Sequence, residues 1–321
     1  MNRIRSLLPA ALAAVALSGV ARAQAPPAPK AAAELPAFET AQTDATSWVG
    51  RFGVTNCAWF DMGDGVLILD TGATEADGRN LLGEVKRTLP GKPVKWVVMT
   101  HLHPDSNGGF TALMPTDVTL VVHQRALQNF TGLIRGATGK VPSVLGVSGT
   151  LALFGKTQTL EVHAVDGPAH TDHDLWLFAP ASNIVFTGDL VTTARCPMMS
   201  DGGTDPKGWL RTLDRIDALH AAALVPTRGP STASVTEQIK VTRDYVRRML
   251  EILTDMKSKN AAEARVSGEL VAKRVGDYCP KELDVTNALA LYRRMNADGT
   301  FKQPKPAAPS AAPAKPAPKK G

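Results

Sequence analysis

Only three cysteines, Cys57, Cys196 and Cys279, occur in 321 residues, and none falls in a Cys-x-x-Cys pair. That argues against a cysteine-built zinc knuckle or a thioredoxin-like redox site. The odd count limits the chain to one internal disulfide, whose pairing the sequence leaves open. Acids are missing from both ends. Residues 1–23 carry Arg3, Arg5 and Arg22, and residues 302–321 carry Lys302, Lys305, Lys315, Lys319 and Lys320, with no Asp or Glu in either stretch. Without those eight charges the formal +6 becomes about −2 for residues 24–301. The basicity belongs to the ends, so net charge gives no support to a nucleic-acid-binding surface. Beyond the first 23 residues no apolar run reaches the roughly 20 residues of a membrane-spanning helix.

What is present describes a folded protein. At 44% hydrophobic and 21% charged residues the composition is that of a globular chain, not of a disordered or coiled-coil one. The N-terminus has the three parts of an export signal: Arg3 and Arg5, an apolar stretch from Leu7 to Val20, and Ala21-Arg22-Ala23 as the cleavage site. Residues 1–23 are therefore expected to be removed, leaving a periplasmic or secreted protein that starts at Gln24; an uncleaved anchor is the alternative. Residues 24–44 are Ala/Pro-rich and read as a linker, and 302–321 as a solvated Lys/Pro/Ala tail.

Between them, short apolar runs at 66–70, 94–99, 118–122, 160–165, 175–178 and 184–186 read as strands. Helical patterns cover 75–88, 123–131, 207–220, 232–259 (capped by Ser231 or Thr232) and 283–296. Strands alternating with helices indicate an α/β protein, and half-buried alternation in several runs indicates mixed sheets. The stretches near 50–60 and 135–150 are expected to be loops lining a pocket.

Chemistry concentrates in turns that follow strands. Thr100-His101-Leu102-His103-Pro104-Asp105 sits at the carboxyl end of the 94–99 strand, where α/β folds place their sites. Gly167-Pro168-Ala169-His170-Thr171-Asp172-His173-Asp174 follows the 160–165 strand, and Thr187-Gly188-Asp189-Leu190 follows 184–186. Neutral imidazoles and carboxylates are the ligands zinc prefers. His123, His163, His173 and His220 are read as ordinary core or surface residues.

In this order and spacing the chain resembles the metallo-β-lactamase superfamily. The resemblance runs from Asn56 and Asp70-Thr71-Gly72 through His101-x-His103-x-Asp105, His170 and Asp189 to Val225-Pro226-Thr227-Arg228-Gly229, about residues 45–260. It implies an αββα sandwich of two mixed β-sheets flanked by helices over 45–262; the helical pattern beyond it reads as an extension at 263–301. It implies a first zinc on His101, His103 and His170, with Asp105 and Asp189 belonging to a second site.

The chain departs from the family pattern at two positions, Ser106 and Arg228. Ser106, in place of the histidine many members carry, disables nothing by itself. Arg228 stands where the family places a histidine ligand, and a guanidinium has no lone pair to give a metal. One zinc is therefore expected, the second weak or absent, with Arg228 supplying part of the missing charge. The alternative is an Arg228 turned outward and a dead site.

Three histidines with an open fourth position describe a catalytic zinc, which would generate hydroxide from bound water near neutral pH. Asp105 would orient that water and carry its proton, while Asp70 and Thr71 hold the turn beneath. The expected activity is hydrolysis of an ester, thioester, lactone or amide carbonyl in a small molecule, with no nucleic-acid partner. A β-lactam is the alternative within the class, weakened because Thr192 stands where the resembling subclass has a lysine for the substrate carboxylate. A non-catalytic metal- or ligand-binding protein is the alternative outside it.

Overall fold

The computed structural model describes residues 40–114, 117–128, 142–266, 274–275 and 279–303. The expected export signal, most of the linker and nearly all of the tail lie outside these residues. Among the described residues twelve strands form two sheets. The first has seven strands in chain order, β1 (Thr40–Asp44), β2 (Ser47–Phe52), β3 (Thr55–Asp61), β4 (Val66–Leu69), β5 (Val94–Val98), β6 (Thr119–His123) and β7 (Ser143–Val147). Antiparallel hairpins join β1 to β4, and β4 to β7 run parallel. The second sheet is ordered β12 (Ala223–Val225), β11 (Ile184–Phe186), β10 (Leu175–Ala179), β9 (Thr159–Ala164), β8 (Thr150–Phe154), with only β11 and β12 parallel.

The central strands are buried on both faces, and side-chain alternation sorts them into layers. In the first sheet Cys57, Trp59, Val66, Ile68, Val97 and Leu120 face outward against Leu81 and Val85 of helix α1 (Glu75–Thr88). Their neighbours Ala58, Phe60, Leu67, Leu69, Val98 and Val121 face inward and meet Leu160, Val162, Leu175, Leu177 and Phe186 of the second sheet. Trp176, Val185 and Leu224 face out from that second sheet. They are covered by helices α3 (Pro206–Asp217), α4 (Val235–Ser258) and α5 (Lys281–Arg294). The layers are thus helix, sheet, sheet, helix, as the resemblance implied. No helix among the described residues is long and apolar enough to cross a membrane.

Several expectations need correction. Residues 50–60 are not a loop: they complete β2 and form most of β3, pairing Gly50 with Cys57 and Phe52 with Thr55. Thr40–Asp44 is a strand, so the linker ends before residue 40. Of the 123–131 helix, residues 124–126 form a 3-10 turn, and 129–131 lie outside the described residues. Residues 143–147 of the second expected loop are β7, while 135–141 are outside the description. Helix α4 takes Ser234 as its N-cap residue, without a side-chain cap. Within the helical extension, Leu291 and Tyr292 of α5 are buried in the same core as Trp209 and Met249.

Candidate metal centre

All the motif turns open on one edge of the sandwich, at the carboxyl ends of β4, β5, β9, β11 and β12. Asp70, just after β4, adopts a left-handed φ of 57°, which Asp tolerates better than most residues. Its buried carboxylate accepts from Thr100 N (2.8 Å), Thr100 Oγ1 (2.8 Å), Asn107 Nδ2 (3.0 Å) and Thr227 Oγ1 (3.2 Å). One side chain thereby ties together the ends of β4, β5 and β12 and the short helix α2 (Pro104–Asn107). Burial pushes its pKa up to about 6 despite those donors. The glycines after the motif are steric: a Cβ on Gly109 would sit 2.0 Å from the Thr71 carbonyl oxygen.

Above this brace His101, His103 and His170 converge with Asp189, and one ligand atom from each lies within 4.8 Å of every other. His170 Nε2 is 3.2 Å from His103 Nδ1, and Asp189 Oδ2 is 3.8 Å from both His101 Nε2 and His170 Nε2. Four ligands about 2.0–2.1 Å from a common tetrahedral centre would stand about 3.4 Å apart, so the spacing suits one small cation.

The outer nitrogen of each ring is fixed. His170 Nδ1 donates to the Met198 carbonyl (3.1 Å), and His103 Nε2 meets Asp201 Oδ2 (3.0 Å). Thr100 Oγ1 spends its only proton on Asp70, so at 3.0 Å it must accept from His101 Nδ1. That leaves a bare lone pair on His101 Nε2, which is buried and finds no hydrogen-bond partner among the described residues. Burial, with the neighbouring His170 and His103, holds the His101 pKa well below its ordinary value and keeps the ring neutral. A buried lone pair facing two further ring nitrogens and a carboxylate is what a metal requires and what a packed core avoids. The residues fit a metal ion.

Two sequence-assigned residues fall differently from expectation. Asp189 stands with the three histidines rather than in a separate second site. Asp105 lies outside that group, its side chain 43% exposed, and pairs with Arg228 Nη2. Arg228 is turned inward: its Nε donates to Asp189 Oδ2 at 2.9 Å, so the guanidinium bridges the two carboxylates. Burial alone would weaken its charge, but Asp189 and Asp105 outweigh that and raise its pKa above the ordinary value.

His173 Nε2 accepts from Leu102 N at 3.3 Å, which braces the backbone between the two motif histidines. Asn56 ties β3 to the arginine loop, its Nδ2 donating to Pro226 O (2.9 Å) and Gly229 O (2.6 Å). Sequence reasoning missed Asp201 and Met198. Asp201 has a signal of a kind, an acid just before the α3 N-terminus. Met198 acts through a backbone carbonyl and has none.

The sequence model of the metallo-beta-lactamase superfamily matches residues 50–228, more than half of the chain, and the chain belongs to that superfamily. A linear primary-alkylsulfatase from Pseudomonas sp. (strain ATCC 19151) is 23% identical over 230 residues, 57% of this chain and 43% of that protein. Among solved structures, a metallo-beta-lactamase from Pontibacter korlensis has a TM-score of 0.52 at 23% identity. It is covered to 99% by 65% of this chain. The stereoselective inverting sec-alkylsulfatase Pisa1 from Pseudomonas sp. has a TM-score of 0.63 at 17% identity, with 80% of this chain over 50% of that one. The chain thus spans half or less of the alkylsulfatases it resembles.

Proposed function

We propose that this member of a mostly hydrolytic superfamily is a zinc-dependent hydrolase built around one metal ion. His101, His103 and His170 would hold the ion with Asp189 beside them, leaving a ligand position for water, and Arg228 takes the place of a second one. The observation that carries this reading is the inward guanidinium, bridging Asp189 and Asp105 where a second cation would otherwise neutralise them. An arginine so placed keeps the two carboxylates apart in charge and leaves no nitrogen ligand for another ion.

Zinc held there supplies Lewis acidity and brings the pKa of water at the site toward about 7. The protein does the rest. Thr100 with Asp70, Asp201 and the Met198 carbonyl fix the three imidazoles with their lone pairs inward. Asp105, the exposed carboxylate of the site, keeps Oδ1 as an acceptor for a water proton while Arg228 holds Oδ2. Arg228 presents a fixed positive charge toward negative charge developing on the substrate.

The substrate class follows from a chemistry that needs a polarised double bond to oxygen: an ester, thioester, lactone or amide carbonyl of a small molecule. A β-lactam is disfavoured, since buried Thr192 donates to Arg195 O and presents no cation for a carboxylate. A sulfate ester is a second reading, favoured by the likeness to two alkylsulfatases. The N-terminal signal pattern supports an activity outside the cytoplasm.

Elemental analysis of protein purified without chelator tests the reading. One zinc per chain is expected, and His103→Ala should hold it more weakly, because one of the three imidazoles is gone. Two tightly held ions would refute the single-metal mechanism, and none would favour a non-catalytic binding protein. Parallel assays on carboxylic esters, lactones and alkyl sulfates then separate the two substrate readings.

A further inference from the structure

The superfamily match ends at Arg228, yet residues after it reach back to the centre. Two of the three ligand imidazoles are oriented by one short segment, residues 198–201. Its Met198 carbonyl accepts from His170 Nδ1, and its Asp201 carboxylate meets His103 Nε2. Within residues 196–204 there is neither helix nor strand to hold that geometry. It is held from outside by the end of the chain. Cys196 is bonded to Cys279, 83 residues later. Arg294 donates from Nη1 to Gly202 O and from Nη2 to Thr204 O, at 2.6 and 2.8 Å.

At the centre of this clamp is Asn287 of α5, which is fully buried. Its Oδ1 accepts from Met199 N at 2.8 Å. Its Nδ2 donates to Pro197 O and to Tyr245 Oη, both at 3.0 Å. Tyr245 in turn donates to Asp284 Oδ1 at 2.8 Å. The amide therefore grips the backbone on both sides of Met198, one bond before it and one after. Both its donors and its acceptor are used. No other side chain of this size offers one acceptor and two donors at these positions. An aspartate would set a carboxylate against the Pro197 carbonyl, and an alanine would leave a buried N–H and a buried C=O without partners.

We propose that Asn287 is a positioning residue for the metal centre: through the 197–201 segment it fixes the rings of His170 and His103, so the C-terminal helix sets metal affinity. The inference rests on the reading that the cluster binds zinc. Groups that orient ligating histidines from the outer side commonly change metal affinity 10–100-fold when removed. Asn287 acts one bond further out, so the lower end, about tenfold, is the expected loss.

The test compares the full-length protein with Asn287→Ala, Asn287→Ser and Leu291→Ala. Leu291 is buried on the same helix but has no polar group to offer the segment. Three quantities are read: zinc retention against a competing chelator, the d–d spectrum of the cobalt(II)-substituted protein, and the melting temperature without metal. Asn287→Ala should release zinc about tenfold more readily and alter the cobalt spectrum. Asn287→Ser, which keeps one hydrogen bond, should fall between it and the parent, and it provides the reading if the alanine variant does not fold. Leu291→Ala should lower the melting temperature while leaving retention and spectrum at the parent values.

Unchanged retention and spectrum in both Asn287 variants overturn the proposal, as does an equal loss of retention in Leu291→Ala. A parent protein that binds zinc while this happens shows that the positioning role alone has failed. A parent that binds none overturns the functional reading, and this inference with it.

Discussion

Replacing Arg228 by alanine separates its charge from every other contribution to the centre. In the parent its Nε meets Asp189 Oδ2 at 2.9 Å, and Asp189 is nearly inaccessible, with 3% of its side chain exposed. Removing one partner of a buried pair leaves the other uncompensated and costs about 3–5 kcal/mol. The limb to Asp105 adds little, because that carboxylate is 43% exposed and water screens it; pairs of this kind contribute about 0–1 kcal/mol. For the metal-free protein the total is therefore about 3–6 kcal/mol. At about 2–4 °C per kcal/mol for a domain of this size, the melting temperature should fall by about 6–24 °C.

Zinc changes the result. Asp189 Oδ2 lies 3.8 Å from two of the ring nitrogens that would hold the ion, so bound zinc compensates the same oxygen that Arg228 served. In zinc-saturated protein the loss should shrink to about 1 kcal/mol. Thermal unfolding of parent and variant, each with chelator and with excess zinc, reads all four states. Arg228→Lys should recover only part of the loss, since an ammonium on a flexible stem cannot reproduce the fork between two carboxylates. Arg228→His should instead raise bound zinc toward two per chain, with Asp105 and Asp189 completing a second set of ligands. An equal fall with and without zinc, or none in the metal-free protein, would refute the idea that guanidinium and metal share one electrostatic role.

Asp70 gives a pH signature. With its pKa raised by burial to about 6 against an ordinary 3.8, the folded state holds the proton more tightly than the unfolded one. Its contribution is fully present below about pH 4 and lost as pH rises through about 6, for a total near 3 kcal/mol. Between those pH values the stability of metal-free protein relative to Asp70→Asn should fall by about that amount; parallel curves would mean that Asp70 is not buried as described. The Cys196–Cys279 bond closes a separation of 83 residues. The double variant Cys196→Ser/Cys279→Ser should therefore lose about 2–5 kcal/mol in chemical denaturation, and no loss would show the bond absent in solution.

The parts of the fold that the sequence reveals are those buried on both faces. Val66–Leu69 is a continuous apolar run and Val94–Val98 is broken only by Lys95, because helices cover one side of the sheet and the second sheet covers the other. Strand β1 reads as linker for the opposite reason: Thr, Gln and Asp outweigh its single Ala, and hairpin pairing rather than apolar content makes it a strand. The 50–60 stretch, read as a loop, hides β3 because Thr55, Asn56 and Asp61 break up its buried apolar run. Edge strands β7 and β8 hide similarly: Leu145 and Phe154 are exposed, so no buried period marks them.

The centre divides along the same physical line. His101, His103, His170 and Asp189 are legible because ligand chemistry restricts residue type, and strand ends restrict spacing. The inward turn of Arg228 could be argued from charge, since an arginine among carboxylates has a place to go and one facing apolar core does not. What the sequence cannot mark is the layer that aims the imidazoles. Met198 contributes a carbonyl, which every residue has. Asn287 works through the backbone of a segment about 90 positions earlier. Asp189 was assigned away from the histidines because the family pattern lists it with a second ion. In this chain the Arg228 guanidinium bridges Asp189 to Asp105, and Asp189 also stands among the three histidines. One cationic side chain after β12 thus sets the charge around both carboxylates, while every histidine stays where its strand end puts it.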